Sequence, residues 1–218
     1  MLLLIMMLED DMFRYKNNQD GATMLETLGV LTIVIMLGIS SIKLIGNIMA
    51  MFKQSMVVSE IQDLQKAITD RYKFEGSYKS LFEGRSDEDI VQYLCENKIA
   101  PFQMCSGDRM YHRMGGAVWV VPSGYYEDDV FIADYNKYAM TFYKLTDKTC
   151  LLAAQINWNK QKTSSIFKMI INSDKVNKLV VDVPYNMQTG SKTFPADVSD
   201  ITKACSYDDN NTIEWVFF

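Results

Sequence analysis

The feature that most constrains this chain is an uncharged apolar run from Thr27 to Ile42. After the single charge of Lys43 the chain stays apolar to Phe52, so the whole stretch is long enough to cross a bilayer. A lysine inside such a stretch can extend to the interface or meet a partner. The segment therefore requires lipid or other helices around it.

The pattern changes after Phe52 without a break. Apolar residues now recur every three or four positions with charged residues between them, which is typical of a helix with one buried face. The apolar positions are Val57, Ile61, Leu64, Ile68 and Tyr72, and the charged ones are Glu60, Asp63, Lys66 and Asp70. No proline occurs between Ala22 and Phe74, and Gly76 is a suitable stop. The sequence predicts a single helix of about 50 residues, first apolar all round and then amphipathic.

The residues before the apolar run differ from an ordinary secretion signal. A signal peptide has its charges before the apolar stretch and a small-residue cleavage site after it. Here the small pair Gly21-Ala22 precedes the run and follows a polar segment. Met1 and Met12 are both candidate start residues.

One acidic residue, Glu26, stands at the front edge of the apolar run. Its carboxylate could lie at the headgroup level, where the positive end of the helix dipole favours it. Alternatively it needs a specific cation inside an assembly, because an acidic side chain at the bilayer centre costs about 2.5–3.5 kcal/mol. Physical chemistry alone leaves both explanations open.

The net charge and the histidine count exclude or disfavour several classes of function. The net charge of −5 makes nucleic acid an unexpected main partner. The single histidine, His112, excludes zinc sites that need two or more histidines, and a Ser-His-Asp hydrolase would have to use it. No nucleophile or orienting acid is patterned near His112, so we expect a surface or loop histidine. No enzyme activity, cofactor or metal site is predicted.

The remaining two thirds of the chain predict short helices and strands. Capping chemistry at Ser86–Asp89 begins a helix with the apolar face Ile90, Val91 and Leu94, and Thr146 caps another that runs to about Asn157. A further short helical stretch is predicted over 164–171. The predicted strands are 117–121, 131–132, 138–143, 179–183 and 212–218, with 134–137 as a connection. This order indicates an α+β fold in which one long helix lies on an antiparallel sheet.

Two groups of surface candidates have simpler explanations. Glu127-Asp128-Asp129 lacks the alternating oxygens of a calcium loop and is expected to be a solvated turn. Tyr125-Tyr126 and the segment Trp215–Phe218 could be interaction surfaces, but core packing of an edge or final strand is the expectation.

The four cysteines are Cys95, Cys105, Cys150 and Cys205. An even number behind an export segment predicts disulfides and an oxidising compartment, and three pairings are possible. Four thiolates on one zinc ion are disfavoured, because the gap between Cys95 and Cys105 exceeds the usual ligand spacing. Buried free thiols are the other alternative.

The segment from Gly21 through Glu26, followed at once by the uncharged run, resembles the class III signal of type IV prepilins. The resemblance implies that a membrane-embedded aspartic peptidase cleaves between Gly21 and Ala22. It also implies that Glu26 pairs with the new amino group of Ala22, on a neighbouring subunit, and sets subunit register. Such proteins often begin with Phe or Met, and N-terminal methylation is expected here only by analogy.

The resemblance extends beyond the first helix. Pro101 and Met104, followed by Gly115-Gly116 and a strand, resemble type IVb pilins, including those of thin conjugative pili. In those proteins a disulfide closes the C-terminal D region, so the resemblance implies the pair Cys150–Cys205. Cys95 and Cys105, which bracket one short loop, are the expected second pair. The implied type IV pilin fold is α+β, with the long helix on the antiparallel sheet and a disulfide-closed C-terminal region.

These expectations divide the chain into functional segments. They are a leader peptide at 1–21, a transmembrane and fibre-core half-helix at 22–52, an amphipathic half-helix at 53–75, and a pilin globular domain at 76–218 that contains a connecting region at 76–116 and the D region at 150–205. The expected function is a structural subunit of a type IVb pilus. It is held in the inner membrane before assembly, with its globular domain periplasmic, and is then part of an extracellular fibre.

The expected partners are other copies of the subunit, the prepilin peptidase, and the pilus assembly platform and motor. The alternatives are a type II secretion pseudopilin and a signal-anchored exported domain of another function. The first alternative shares the N-terminal signal. The second leaves Glu26 unexplained.

Overall fold

The structure is a computed structural model that describes residues 24–128, 130–158, 166–172, 178–182, 192–207 and 209–218, without the side chains of residues 24–27, 39–43, 126, 192 and 193. The chain divides into two compact units, Met1–Met49 and Ala50–Phe218. Helix α1 runs from Met24 to Tyr72, 49 residues, which confirms the predicted single helix.

The amphipathic half of α1 buries the stripe that the spacing predicts. Val57, Ile61, Leu64 and Ile68 are fully buried and join the same hydrophobic core as the sheet. Gln65 is buried in the same row, and its amide donates a hydrogen bond to Thr69 (2.9 Å). This half of the helix therefore belongs to the globular unit.

Short elements follow α1. They are α2 (Lys79–Phe82), α3 (Asp87–Glu96), a 3-10 turn (Phe102–Met104), β1 (Cys105–Ser106) and β2 (Arg109–Met110), the last two paired antiparallel. The predicted capping box at the start of α3 is present: the Ser86 hydroxyl accepts from the Asp89 backbone, and the Asp89 carboxylate accepts from the Ser86 backbone. The predicted apolar face of α3 is buried.

The main sheet has six strands in the order β3-β4-β8-β5-β6-β7. Their bounds are β3 Val118–Glu127, β4 Val130–Leu145, β5 Ile166–Ile171, β6 Leu179–Asp182, β7 Lys192–Thr193 and β8 Asn211–Phe217. Helices α4 (Asp147–Ala154) and α5 (Val198–Ala204) complete the fold. The predicted α+β class is confirmed, and all sheet pairs except β6 with β7 are antiparallel.

Two secondary-structure predictions are wrong. The stretch over 166–171 is strand β5 and not a helix, while 164 and 165 lie outside the described residues. The predicted connection 134–137 lies inside β4, which is one strand of 16 residues. Its register with β3 shifts there: Pro122 pairs with Tyr138, and Ser123 pairs with Asp134. The polar residues mark an irregularity within the strand.

The core lies between the helices and one face of the sheet. Aromatic side chains from three parts of the chain meet in it. Tyr138 lies beside Tyr78 (4.7 Å between ring centroids) and Phe217 (5.4 Å), and Trp215 lies 5.9 Å from Phe142. Core packing of the final strand is therefore confirmed for Trp215 and Phe217, because β8 occupies an inner position of the sheet.

Two disulfides join the irregular parts of the fold. Cys95 at the end of α3 bonds Cys105 in β1, and Cys150 in α4 bonds Cys205 after α5. Both expected pairs are therefore confirmed, including the Cys150–Cys205 pair that the type IVb resemblance implies. Within the residues that the structure describes, no helix meets the length and apolarity that a membrane crossing requires.

Candidate assembly site and its supporting loop

The three residues predicted to act in processing and assembly lie at the edge of the described chain. Gly21 and Ala22 are outside the described residues. Glu26 is within α1, but its side chain is among those not described. The cleavage site and the pairing of Glu26 with Ala22 stay predictions.

The described side chains in the first half of α1 form an apolar surface. Large hydrophobic side chains between Leu28 and Phe52 are each more than half exposed. A methyl group added at Gly29, Gly38 or Gly46 would meet nothing within 4 Å. Burial of one Val, Leu, Ile or Met side chain contributes about 1.5–3 kcal/mol, so association through this surface would be strongly favourable. Its chemistry suits contact with other apolar helices or lipid.

The second half of α1 is fixed to the globular unit by an ion pair. The Glu60 carboxylate accepts hydrogen bonds from the backbone N–H of Arg113 (3.0 Å) and from Arg113 Nε (3.2 Å). Burial raises the pKa of the Glu60 carboxyl, and the bonds from Arg113 oppose that rise. The pair connects α1 to the loop 112–116, which precedes the first long strand.

The sequence alone does not predict this ion pair, because Glu60 is one of the charged residues between the apolar positions of the helix. The available signal was its position. Glu60 lies three residues after Val57 and four before Leu64, so helical spacing puts it at the border of the buried stripe.

The same loop contains His112, which is thus a loop histidine as expected. Its ring is buried, at 2% exposure, and does not lie at the surface. Its Nε2 lies 2.7 Å from the Tyr143 carbonyl oxygen, and its Nδ1 accepts a hydrogen bond from the Met114 N–H (3.2 Å). This arrangement requires the neutral ring with its proton on Nε2, and burial lowers the pKa of His112. His112 is a structural tie between loop and sheet.

Gly116 makes that tie sterically possible. A Cβ at this position would collide with the Tyr143 carbonyl and with the His112 ring. The Gly115-Gly116 pair therefore has a packing reason in this fold, because the loop backbone passes directly over β4.

The C-terminal region is closed by a buried amide network beside the Cys150–Cys205 bond. Asn172 donates from Nδ2 to Asn211 Oδ1 (2.9 Å), and its Oδ1 accepts from the Thr212 N–H (2.7 Å). Asn211 donates in turn to the Leu145 carbonyl (3.2 Å) and to Asp147 Oδ1 (2.8 Å). Strands β5 and β8 are thereby tied to the start of α4.

The cavities are shallow grooves on the surface of the globular unit. One of about 240 Å³ lies against Trp119 and Arg109. Two others, of about 320 and 390 Å³, adjoin along α1 and share Ala67, Lys98 and Ile99. Over the described ranges, no group of three or more His, Cys, Asp or Glu residues is placed to hold a metal ion.

Comparison with known proteins found solved structures only. No family model and no curated protein sequence matches the chain. The crystal structure of the type IVb pilin from Salmonella typhi is similar at 18% identity and a TM-score of 0.47, covering 73% of this chain and 96% of the pilin. TcpA, a type IV pilin from the Vibrio cholerae El Tor biotype, is similar at 13% identity and a TM-score of 0.45, covering 75% and 98%.

Proposed function

We propose that this chain is the structural subunit of a type IVb pilus and polymerises through its N-terminal helix. The division of α1 carries the proposal. One helix has a first half with exposed apolar side chains and a second half whose stripe is buried in the globular unit. A chain built this way can bury its apolar half only against lipid or other helices, while its globular unit stays folded.

The proposed maturation follows from the residues at the start of the helix. Cleavage after Gly21 by a prepilin peptidase would leave a new amino group on Ala22 and make Glu26 the fifth residue of the mature chain. A carboxylate in an apolar helix bundle is tolerated when a cation meets it, and loss of one partner of such a pair costs about 3–5 kcal/mol. The Ala22–Glu26 pair would therefore fix the register between neighbouring subunits.

The proposed location changes during assembly. Before polymerisation, the apolar run Thr27–Phe52 holds the subunit in the inner membrane with its globular unit in the periplasm. The assembly platform and motor then transfer it into an extracellular fibre. The two disulfides support an oxidising location for the globular unit, because such bonds persist outside the cytoplasm.

The test compares three forms of the full chain in a cell that contains a prepilin peptidase and an assembly system. Wild-type chain is expected to begin at Ala22 by intact-mass measurement and to assemble into fibres. Glu26→Gln keeps the side-chain size but loses the charge. It is expected to be cleaved and membrane-bound but unable to assemble.

Leu44→Met serves as the matched control, since it alters the apolar helix surface without removing a charge. It is expected to assemble like the wild type. A leader retained on all forms, or fibres formed equally well by Glu26→Gln, would contradict the proposal.

A further inference from the structure

The hairpin formed by β3 and β4 extends past the rest of the sheet. Its end consists of Ser123–Glu127 paired with Val130–Asp134, and we call these residues the arm. Among the described strands, β4 pairs with β3 on one side and with β8 on the other. Its pairing with β8 starts only at Tyr138, which lies opposite Phe217. The arm therefore begins where the six-stranded part of the sheet ends.

The arm has an anchored base. The residues between Asp134 and Tyr138 interrupt the register, and they are held from two sides. Tyr135 accepts a backbone hydrogen bond from Tyr78 (2.7 Å), and Lys137 donates to the Asp134 carboxylate (2.9 Å). The arm is thus a positioned element of the fold.

One face of the arm combines apolar side chains with a carboxylate. Because side chains alternate along a strand, Tyr125 and Glu127 share a face with their cross-strand partners Ile132 and Val130. Tyr125 is 58% exposed and Val130 is 63% exposed. The expectation of core packing is therefore wrong for Tyr125.

The charge of the arm has one sign. Segment 123–134 contains no basic residue, and its sequence includes Glu127, Asp128 and Asp129. The described side chains of Glu127 and Asp128 are exposed. Glu127 ends β3 and Asp128 lies in the turn, so the predicted solvated turn is confirmed for Asp128. A partner for this face needs an apolar floor with basic groups beside it.

The globular unit carries such a surface. Two adjoining grooves of about 320 and 390 Å³ run between the second half of α1 and the segment after α3. Their shared floor is apolar, with Ala67 and Ile99 half-buried. Exposed Arg71 lines the first groove, exposed Lys98 lines both, and Asp63 lines the second. The Arg71 guanidinium also pairs with Glu75 (3.4 Å). The basic end is the part that complements the arm.

We propose that the arm of one copy docks in this groove of a second copy, with Tyr125 and Val130 on the apolar floor and Glu127 and Asp128 facing Arg71 and Lys98. The occupant is a second copy because the chain carries both complementary surfaces, each exposed. The inference rests on the proposed function, because it takes assembly of copies as given, and it adds a contact between globular units.

The proposed contact is heterologous, since the arm and the groove are different surfaces. Contacts of this kind form rings when the rotation closes and open filaments when it does not. A filament-forming subunit therefore uses both surfaces at once, and only terminal copies leave one of them free.

A photo-crosslinking experiment on the full chain tests the contact. Tyr125 is replaced with the photoreactive p-benzoylphenylalanine, which keeps an aromatic side chain in place. One cell co-expresses the variant and a second version of the chain that carries a distinguishing mass tag, so that cross-links between copies are identified by mass. The expected cross-links join position 125 of one copy to residues 63–71 or 93–102 of another.

Charge reversal then tests the complementarity. Glu127→Lys with Asp128→Lys is expected to lower the cross-link yield by about tenfold, and adding Arg71→Glu with Lys98→Glu is expected to restore it to within about twofold. The control is the reversal of Lys79 and Glu83, an exposed pair outside the grooves (3.3 Å), which is expected to change nothing. Intact disulfides on non-reducing gels verify folding of each variant.

Cross-links from position 125 within one copy, to another region of a second copy, or to a different protein would overturn the inference. A cross-link yield that charge reversal does not change would also overturn it. If fibres form without arm-to-groove cross-links, the inference fails and the pilus proposal stands. If no fibres form and Glu26→Gln behaves like the wild type, the pilus proposal itself fails.

Discussion

At the residue scale, Glu60 joins the second half of α1 to the loop 112–116. Its carboxylate accepts both the backbone and side-chain bonds of Arg113, and its side chain is only 9% exposed. We expect Glu60→Ala to lower the free energy of unfolding by about 1–3 kcal/mol, because the partly buried Arg113 N–H loses its acceptor. Glu60→Gln should cost less, since an amide oxygen still accepts that bond. Denaturant unfolding with intact disulfides measures both.

The control for Glu60 is an exposed ion pair in the same unit. Lys79 and Glu83 lie 3.3 Å apart with both side chains more than half exposed. We expect Glu83→Ala to change the free energy of unfolding by less than about 0.5 kcal/mol. Equal losses for Glu60→Ala and Glu83→Ala would contradict the assigned role of Glu60.

His112 gives the globular unit a dependence on acid. Its pKa is lowered by burial from the ordinary value of 6.5, so the unfolded chain takes up the proton first as the pH falls. Stability is therefore complete above pH 6.5 and decreases as the pH falls below it towards the folded pKa. Protonation of the ring also puts a proton on Nδ1. The hydrogen bond that Nδ1 accepts from the Met114 N–H is then lost, and the two N–H groups face each other.

The test must separate His112 from Glu60, whose pKa is raised above 4.5 and whose effect has the opposite sign. We expect the wild type to lose more stability than His112→Gln between about pH 7.5 and about pH 5.5, because the variant lacks the imidazole that takes up a proton over this range in the unfolded chain. His112→Gln should be the less stable form at the higher pH. Parallel unfolding free energies across this range would contradict the prediction.

At the scale of elements, α1 has two halves with separate tasks, and one substitution in each separates them. Leu64 is fully buried, whereas Leu44 is 61% exposed. We expect Leu64→Ala to lower the free energy of unfolding of the globular unit by about 2–5 kcal/mol. Leu44→Ala should leave it within about 0.5 kcal/mol of the wild type and instead reduce fibre yield. A stability loss at Leu44 that matches the one at Leu64 would contradict the division.

Local sequence signals predicted the elements that have a regular helical spacing of buried residues or a capping residue at the start of a helix. The stripe of α1, the capping box at Ser86 and the helix start at Thr146 are all set by residues within one or two turns. The same local signals failed for strand β5, which the sequence predicts as helical. Its register with β8 shifts between Ile166 and Lys168, so the buried positions include Ile166 and Met169, a spacing of three that imitates a helix.

Tertiary contacts explain the remaining differences. The polar stretch 134–137 reads as a connection, but the β3 strand and the Tyr78 N–H hold it within β4. The burial of His112 depends on Tyr143, 31 positions away, and on the absence of a side chain at Gly116. No local period encodes either contact.

At the scale of the whole molecule, stability and assembly depend on different parts of the chain. The globular unit has its own core, which begins at Val57, together with two disulfides and a buried amide network. The apolar half-helix has the opposite character, because its described large side chains are exposed. The proposed polymer reconciles the two, with the half-helices buried together and the globular units outside.

The part of the candidate site that is formed by residues close together in the sequence was predictable. Gly21, Ala22 and Glu26 form a local signal, and the pairing assigned to them stays a prediction. The arm and its groove were not predictable, because the groove is built from residues about 30 positions apart, at Ala67 and Ile99.

The most direct measurement is a cryo-electron-microscopy reconstruction of fibres isolated from cells that produce the full chain. The account predicts a chain that begins at Ala22, with residues 22–52 packed as helices along the fibre axis, Glu26 beside the amino group of a neighbouring Ala22, and residues 76–218 on the outside. Fibres whose axis is built from the globular units, or fibres in which Glu26 faces solvent, would contradict it.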